Sequence, residues 1–327
     1  MGESTFRGVR VTVRSVRPPE PGDLERAWRT VSAELPPTPL VASALAPGAL
    51  LKLETFQPTG SFKVRGALAA LGALPDGEPA VTASAGNHGL GMGFAASRLG
   101  HGAGVTVVVP TRASQAKVDK IAAFPVRLVE WGATYEDAEA HAMGLPGRYV
   151  SAYNDPDVIA GQGTIGRELD AQVDGPLTVV APVGGGGLVA GLCLWARLHG
   201  GERGGVRVVG VESSQSRGVS AAVAAGRIVE VPVGDTIADG LSGNLEAGSV
   251  TPAALGDTAR LTAVTDAEIR AALRWLFREH GLVAEGSGAA GVAAVLAGKV
   301  EVEGRLAVVL SGRNITVPTY AHALSGT

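Results

Sequence analysis

Short β-rich runs alternate with longer helical stretches along most of this chain, and few folds accept that order. Strand signals fall at Ala80–Ser84, Gly104–Val109, Leu177–Ala181, Arg207–Glu212 and Leu306–Leu310. Helical signals fall at Asp23–Leu35, Gly89–Leu99, Ser114–Ala123, Thr134–Ala142, Pro156–Asp170, Leu188–His199, Asp266–His280 and Ser287–Ala297. Parallel neighbours need a crossover, and the crossover helices cover both faces of the sheet. The fold class is therefore α/β, with parallel-dominated sheets flanked by helices. Ligands in such folds bind at the C-terminal ends of strands, where turns lead into helices. Three turns have that form, after Ser84, after Val183 and after Leu310.

Composition narrows the classes further. The 47 glycines in 327 residues are about twice the usual share of roughly 7%. They follow no collagen-like period and lie among apolar stretches, which excludes fibrous and disordered chains. Aromatics are only 4%, so small and aliphatic side chains must fill the core. The length suits two domains or one large α/β domain. The net charge of −3 and the lack of a dominant basic patch argue against a nucleic-acid binder. A single cysteine, Cys193, cannot form an internal disulfide, which favours the cytoplasm. The N-terminus, with Arg7, Arg10, Arg14 and Arg17, lacks the apolar core of a secretory signal. No run of about 18 uninterrupted apolar residues suggests a membrane span.

Four segments can carry chemistry. Gly184-Gly185-Gly186-Gly187-Leu188 follows one strand and opens a helix. Bare backbone and a positive helix end make an anion site, most often for phosphate. The relaxed pattern G-x-G-x-x-A also fits Gly185–Ala190, with Glu212 ending the next strand, so a dinucleotide stays open. Lys63, in Thr59-Gly60-Ser61-Phe62-Lys63-Val64-Arg65-Gly66, stands between apolar residues just before a helix. It is either a solvated lysine or a Schiff-base amine whose pKa burial and the nearby Arg65 would lower. Ser84-Ala85-Gly86-Asn87-His88-Gly89 ends a strand and starts a helix. Its N–H groups could hold a carboxylate, or Ser84 or Asn87 could simply cap the helix. His88 alone reads more readily as a packed histidine than as a base. Ser311-Gly312-Arg313-Asn314 follows the last strand; Ser311 could bond a ring nitrogen, or the segment is an ordinary turn. No GxxxxGK[ST], CxxC or HExxH pattern occurs, and no metal site is expected.

Taken in this order, the four segments resemble the fold-type II pyridoxal-phosphate enzymes, most closely the threonine/serine dehydratases. Asn154–Thr164, Ile237–Leu241 and Glu285–Ala289 extend the similarity to about residues 37–314. The resemblance implies a tryptophan-synthase-β-like fold of two domains. Residues 1–78 and 155–327 would form the large cofactor-binding domain, residues 79–154 the small one, with no C-terminal regulatory domain.

It also implies site roles. Lys63 would be the Schiff-base lysine and the base for the substrate Cα proton. Asn87 would contact the cofactor's phenolic oxygen, Gly184–Gly187 and Leu188 its phosphate, and Ser311 its pyridine nitrogen. Phe62 and Glu285 would complete the cofactor site. Ser84, Ala85, Gly86, Asn87 and His88 would bind the substrate carboxylate.

The implied cofactor is pyridoxal 5′-phosphate. The implied reaction converts threonine, serine or a related 3-hydroxy amino acid to a 2-oxo acid and ammonia. A homodimer without nucleic-acid or membrane partners is expected. Ala85 stands where related racemases have a serine, which favours dehydration; Gly218 stands at a racemase metal-ligand position. Leu90 and Arg313 replace a usual glutamine and glycine, which leaves the substrate side chain open. A racemase, another β-eliminating or β-replacing enzyme, a non-catalytic sensor and, more distantly, a nicotinamide-dependent oxidoreductase are the alternatives.

Overall fold

The computed structural model describes the backbone of residues 2–6 and 9–325, and side chains from Arg14 to Ser325. Of the N-terminal arginines, Arg7 lies outside these residues and Arg10 is described in backbone only. The chain opens with β1 (Gly2–Phe6) and β2 (Val9–Val13), an antiparallel ribbon, then α1 (Pro21–Glu34), β3 (Leu40–Ser43) and β4 (Ala49–Leu53). Next come α2 (Lys63–Gly72), β5 (Ala80–Ala83), α3 (Asn87–Leu99), β6 (Val105–Val109), α4 (Gln115–Ala122) and β7 (Arg127–Glu130). These are followed by α5 (Tyr135–Gly144), β8 (Arg148–Tyr149), α6 (Pro156–Gln172), β9 (Leu177–Pro182), α7 (Gly187–His199) and β10 (Val206–Ser213). The last part holds α8 (Gly218–Ala225), α9 (Thr251–Leu255), β11 (Ala259–Val264), α10 (Asp266–His280), α11 (Gly286–Leu296), β12 (Arg305–Leu310) and α12 (Val317–Ser325).

Two sheets organise these elements. The larger has the order β11-β10-β9-β12-β4-β3 and is parallel except for the β3–β4 edge. The smaller, β7-β6-β5-β8, is wholly parallel. One core lies on each face of the larger sheet: Leu24, Ile159, Val189 and Trp195 on one, Leu51, Val209, Ile269 and Val292 on the other. A third, around Val64, Leu68, Met92, Val107 and Val158, joins the smaller sheet to α2 and α6. The helix α2 packs against both α3 and α6, so its N-terminus stands where the two sheets meet.

The five sequence-read strands and eight helices all form, with ends shifted by a few residues. Local chemistry explains the starts. Thr134 with Asp137, and Thr265 with Glu268, close reciprocal capping boxes on α5 and α10. Asp155 caps α6, with Pro156 at its first position. Two glycines of α6 have a packing reason that composition did not reveal. A Cβ on Gly163 would stand 2.7 Å from the Gly191 carbonyl, and one on Gly166 would stand 2.1 Å from the Trp195 ring. The absent side chains let α6 and α7 touch along their backbones. Among the described residues, no helix is long and apolar enough to cross a membrane.

Candidate active site

The site collects at C-terminal strand ends, as the topology of open α/β sheets favours. The β4–α2 connection presents Ser61–Lys63, the β5–α3 turn presents Ser84–His88, β9–α7 the glycine loop, and β12 ends at Ser311. Backbone bonds knit these turns together. Phe62 N donates to Ser311 O at 3.0 Å, Arg313 N to Gly60 O at 2.9 Å, and Glu285 N to Gly312 O at 3.0 Å.

Lys63 begins α2, and its Nζ donates to the Ala152 carbonyl at 2.7 Å. The ammonium also lies over the Phe62 ring, 5.2 Å from its centroid. No carboxylate hydrogen-bonds it among the described residues. Burial pulls its pKa down from 10.5 to about 8, while the charge of Glu285 pushes the other way. The expected help from Arg65 is not found. Two positions along a helix face different sides, and Arg65 turns inward to a bidentate pair with Glu54, both bonds 2.8 Å. Ala152 O also receives Gln162 Nε2 at 3.5 Å. The unpartnered Gln162 Oε1 lies 2.9 Å from where a Cβ on Gly187 would stand. Lys63 and Gln162 therefore share the Ala152 carbonyl, and the other end of the Gln162 amide lies against the glycine loop.

Two helices at the site start from a glycine cap, which has no side chain to bond the first turn. The α7 cap is Gly186, at φ 86°, and the α3 cap is Gly86. Their first-turn N–H groups remain for a ligand. No side chain fits on the glycine loop: a Cβ on Gly184 would stand 2.5 Å from Gly240 O, and one on Gly185 2.3 Å from the Tyr153 ring. Leu188 is buried in the first turn of α7. In the other turn, Ser84 Oγ accepts from Gly86 N at 3.1 Å, while Ala85 and Gly86 are half-buried.

Asn87 does not cap α3. Its Nδ2 donates to Glu285 Oε1 at 2.8 Å, and its Oδ1 accepts from Asn314 Nδ2 at 2.6 Å. Glu285 is pushed up to about 8, first by burial and then by the charge of Asp239. His88 is buried and faces away from this turn: Nε2 meets Val150 O at 3.2 Å. Burial and then the Lys63 charge hold its pKa at about 3, so the ring is neutral. It offers the turn its backbone N–H. Ser311 is buried at the strand end. Arg313 is exposed and Leu90 packs against the core between the sheets. Glu212 accepts from the Val219 and Ser220 amides and the Ser220 hydroxyl at the start of α8, which leaves it no reach toward a ribose.

A half-buried amine lowered to about 8, an all-glycine loop into a helix, and a second helix start on a glycine cap suit an aldehyde bearing a phosphate. A model of pyridoxal-phosphate dependent enzymes matches residues 31–312. The chain belongs to that family. Within it, the L-threonine ammonia-lyase of Thermotoga maritima is 35% identical over 308 residues, 90% of this chain and 75% of that protein. A solved threonine deaminase from T.th. superposes with a TM-score of 0.81 at 35% identity, covering 91% of this chain and 99% of that one. A maize serine racemase gives a TM-score of 0.82 at 26% identity, covering 94% and 98%. Family membership leaves no place for the dinucleotide reading of the glycine loop. Two features of the site escaped the sequence reading: Asn314, named only as part of a turn, and the Gln162–Ala152 link.

Proposed function

We propose that this enzyme is a pyridoxal-phosphate-dependent dehydratase that converts L-threonine, L-serine or a related 3-hydroxy amino acid to a 2-oxo acid and ammonia. The observation that carries the reading is Lys63: a half-buried amine lowered to about 8 that, among the described residues, has a backbone carbonyl as its hydrogen-bond partner. Pyridoxal phosphate, when bound, supplies an aldehyde for that amine and an electron sink for the substrate carbanion. Lys63 Nζ anchors it and then takes the Cα proton, which requires the neutral amine that burial provides. The Gly184–Gly187 and Leu188 amides hold the phosphate. Phe62, Asn87, Glu285 and Ser311 would hold the ring, with the neutral Ser311 hydroxyl as the group offered to its nitrogen. Ser84, Ala85, Gly86, Asn87 and the His88 amide receive the substrate carboxylate.

The division into residues 1–78 with 155–327 and residues 79–154 belongs to the same reading. So do a homodimer and a cytoplasmic role in amino-acid catabolism. The structural relative named a racemase supports the second reading, but Ala85 leaves the Ser84–His88 turn without a second proton donor next to Gly86. Release of 2-oxo acid across a panel of 3-hydroxy amino acids, with cofactor present, is the test. Accumulation of the D-amino acid without 2-oxo acid overturns the dehydratase. Borohydride reduction followed by peptide mass spectrometry is expected to find the pyridoxyl group on Lys63; a label on another lysine refutes the site.

A further inference from the structure

Asn314 carries an orientation argument that the proposed roles do not use. An asparagine amide can face either way, and its polarity follows from partners that cannot change theirs. Here the fixed partner is the backbone carbonyl of Thr59, which only accepts. Asn314 Nδ2 donates to it at 2.8 Å. The same Nδ2 gives its second hydrogen to Asn87 at 2.6 Å, so the Asn87 atom there must be Oδ1. Asn87 Nδ2 is thereby turned the other way, with one hydrogen on Glu285 Oε1 at 2.8 Å and one left over. The clamp is held from behind: a Cβ on Gly60, at φ +74°, would stand 2.7 Å from Asn314 Oδ1.

We propose that Asn314 is a positioning residue that locks the Asn87 amide so that it meets the cofactor as a hydrogen-bond donor. The proposal rests on the reading above, in which Asn87 faces pyridoxal phosphate. An acceptor oxygen on the cofactor needs that polarity, and a flipped amide would set oxygen against oxygen.

The measurement is the dissociation constant of pyridoxal phosphate for the full chain, with the pH titration of the bound cofactor's visible band. Asn314→Ala frees the amide to flip and weakens binding severalfold. Asn314→Asp, which only accepts, forces the flip and weakens binding roughly ten- to a hundredfold. Both changes lose most of their effect on an Asn87→Ala background, because the proposed action of Asn314 on the cofactor runs through that amide. Circular dichroism and thermal melting separate this from misfolding. An unchanged affinity and band in both variants overturns the proposal, as does an effect of equal size on the Asn87→Ala background. A wild-type protein that takes up no pyridoxal phosphate overturns the functional reading instead.

Discussion

Lys52 and Lys63 stand at either end of one short connection, the first fully buried and the second half-buried. Lys52, in β4, is fully buried and makes a 2.5 Å pair with Glu168, with further bonds to Thr38 O and Gln172. Arg65 lies between Glu54 and Glu168 in the same cluster, 2.7 Å from the latter. Among the described residues, Lys63 has only the Ala152 carbonyl. Burial lowers both pKa values, but Glu168 and Glu54 oppose it at Lys52 while only Glu285 opposes it at Lys63. The difference is one of partners. Lys52 is held among carboxylates that oppose the loss of its proton, whereas Lys63, beside a carbonyl, has its pKa lowered to about 8, which suits the proposed role of an amine nucleophile.

The comparison breaks most sharply at Lys63. Lys63→Ala is expected to cut dehydratase turnover by at least roughly ten-thousandfold and to abolish the visible band of the bound cofactor. Its melting temperature should stay close to that of the wild-type apoprotein, because one hydrogen bond to a carbonyl is lost and a buried charge goes with it. A large drop in melting temperature would make Lys63 a structural residue like Lys52.

Glu168 tests the other lysine. Glu168→Ala leaves Lys52 and Arg65, both buried, with one carboxylate between them, and is expected to cost about 3–5 kcal/mol of stability. Lys52→Met should cost less, since Glu168 keeps Arg65 and the methionine fills the lysine stem. Urea unfolding monitored by circular dichroism measures both. If Glu168→Ala loses no stability, the cluster is not what holds Lys52 and Arg65 in the core.

The two lysines also show where sequence reading succeeds. Lys63 stood out in Ser61-Phe62-Lys63-Val64-Arg65-Gly66 just before a helix, but the pattern alone left a solvated lysine open and only the family resemblance favoured a Schiff-base amine. Lys52 did not stand out: in Ala-Leu-Leu-Lys-Leu the charge interrupts a run with few β-branched residues, so β4 escaped along with its antiparallel partner β3. The strands β5, β6, β9, β10 and β12 were legible because they are buried and mostly rich in valine, while β7 is a half-exposed edge with charged ends and β8 has two residues. Within the site, the glycine loop was visible because four glycines in a row need a reason. The Asn87–Asn314 clamp was not, since 227 positions separate its ends and only the fold brings them together. Arg65 misled for the same reason: its partners Glu54 and Glu168 are fixed by tertiary packing.

The smallest effect is the most discriminating. Lys63 has a folded-state pKa near 8 against 10.5 in an exposed chain, so the unfolded state holds the extra proton between those values. Stability from this group is therefore lowest below pH 8 and rises as pH climbs from 8 to 10.5. Glu285 runs the opposite way. Raised from 4.5 to about 8, it favours the folded state at low pH, and that contribution is lost as pH rises through 8. The two groups are coupled, because the Glu285 anion stabilises the Lys63 ammonium. Glu285→Gln removes that anion, so Lys63 should lose its proton at lower pH than in the wild type. The check is the initial rate of pyridoxal-phosphate capture by apoprotein, which needs the neutral amine. Its midpoint is expected near pH 8 in the wild type and below it in Glu285→Gln. A midpoint near 10.5 would mean that Lys63 is solvated after all, and a shift upward in the variant would mean that Glu285 does not act on Lys63 as a charge.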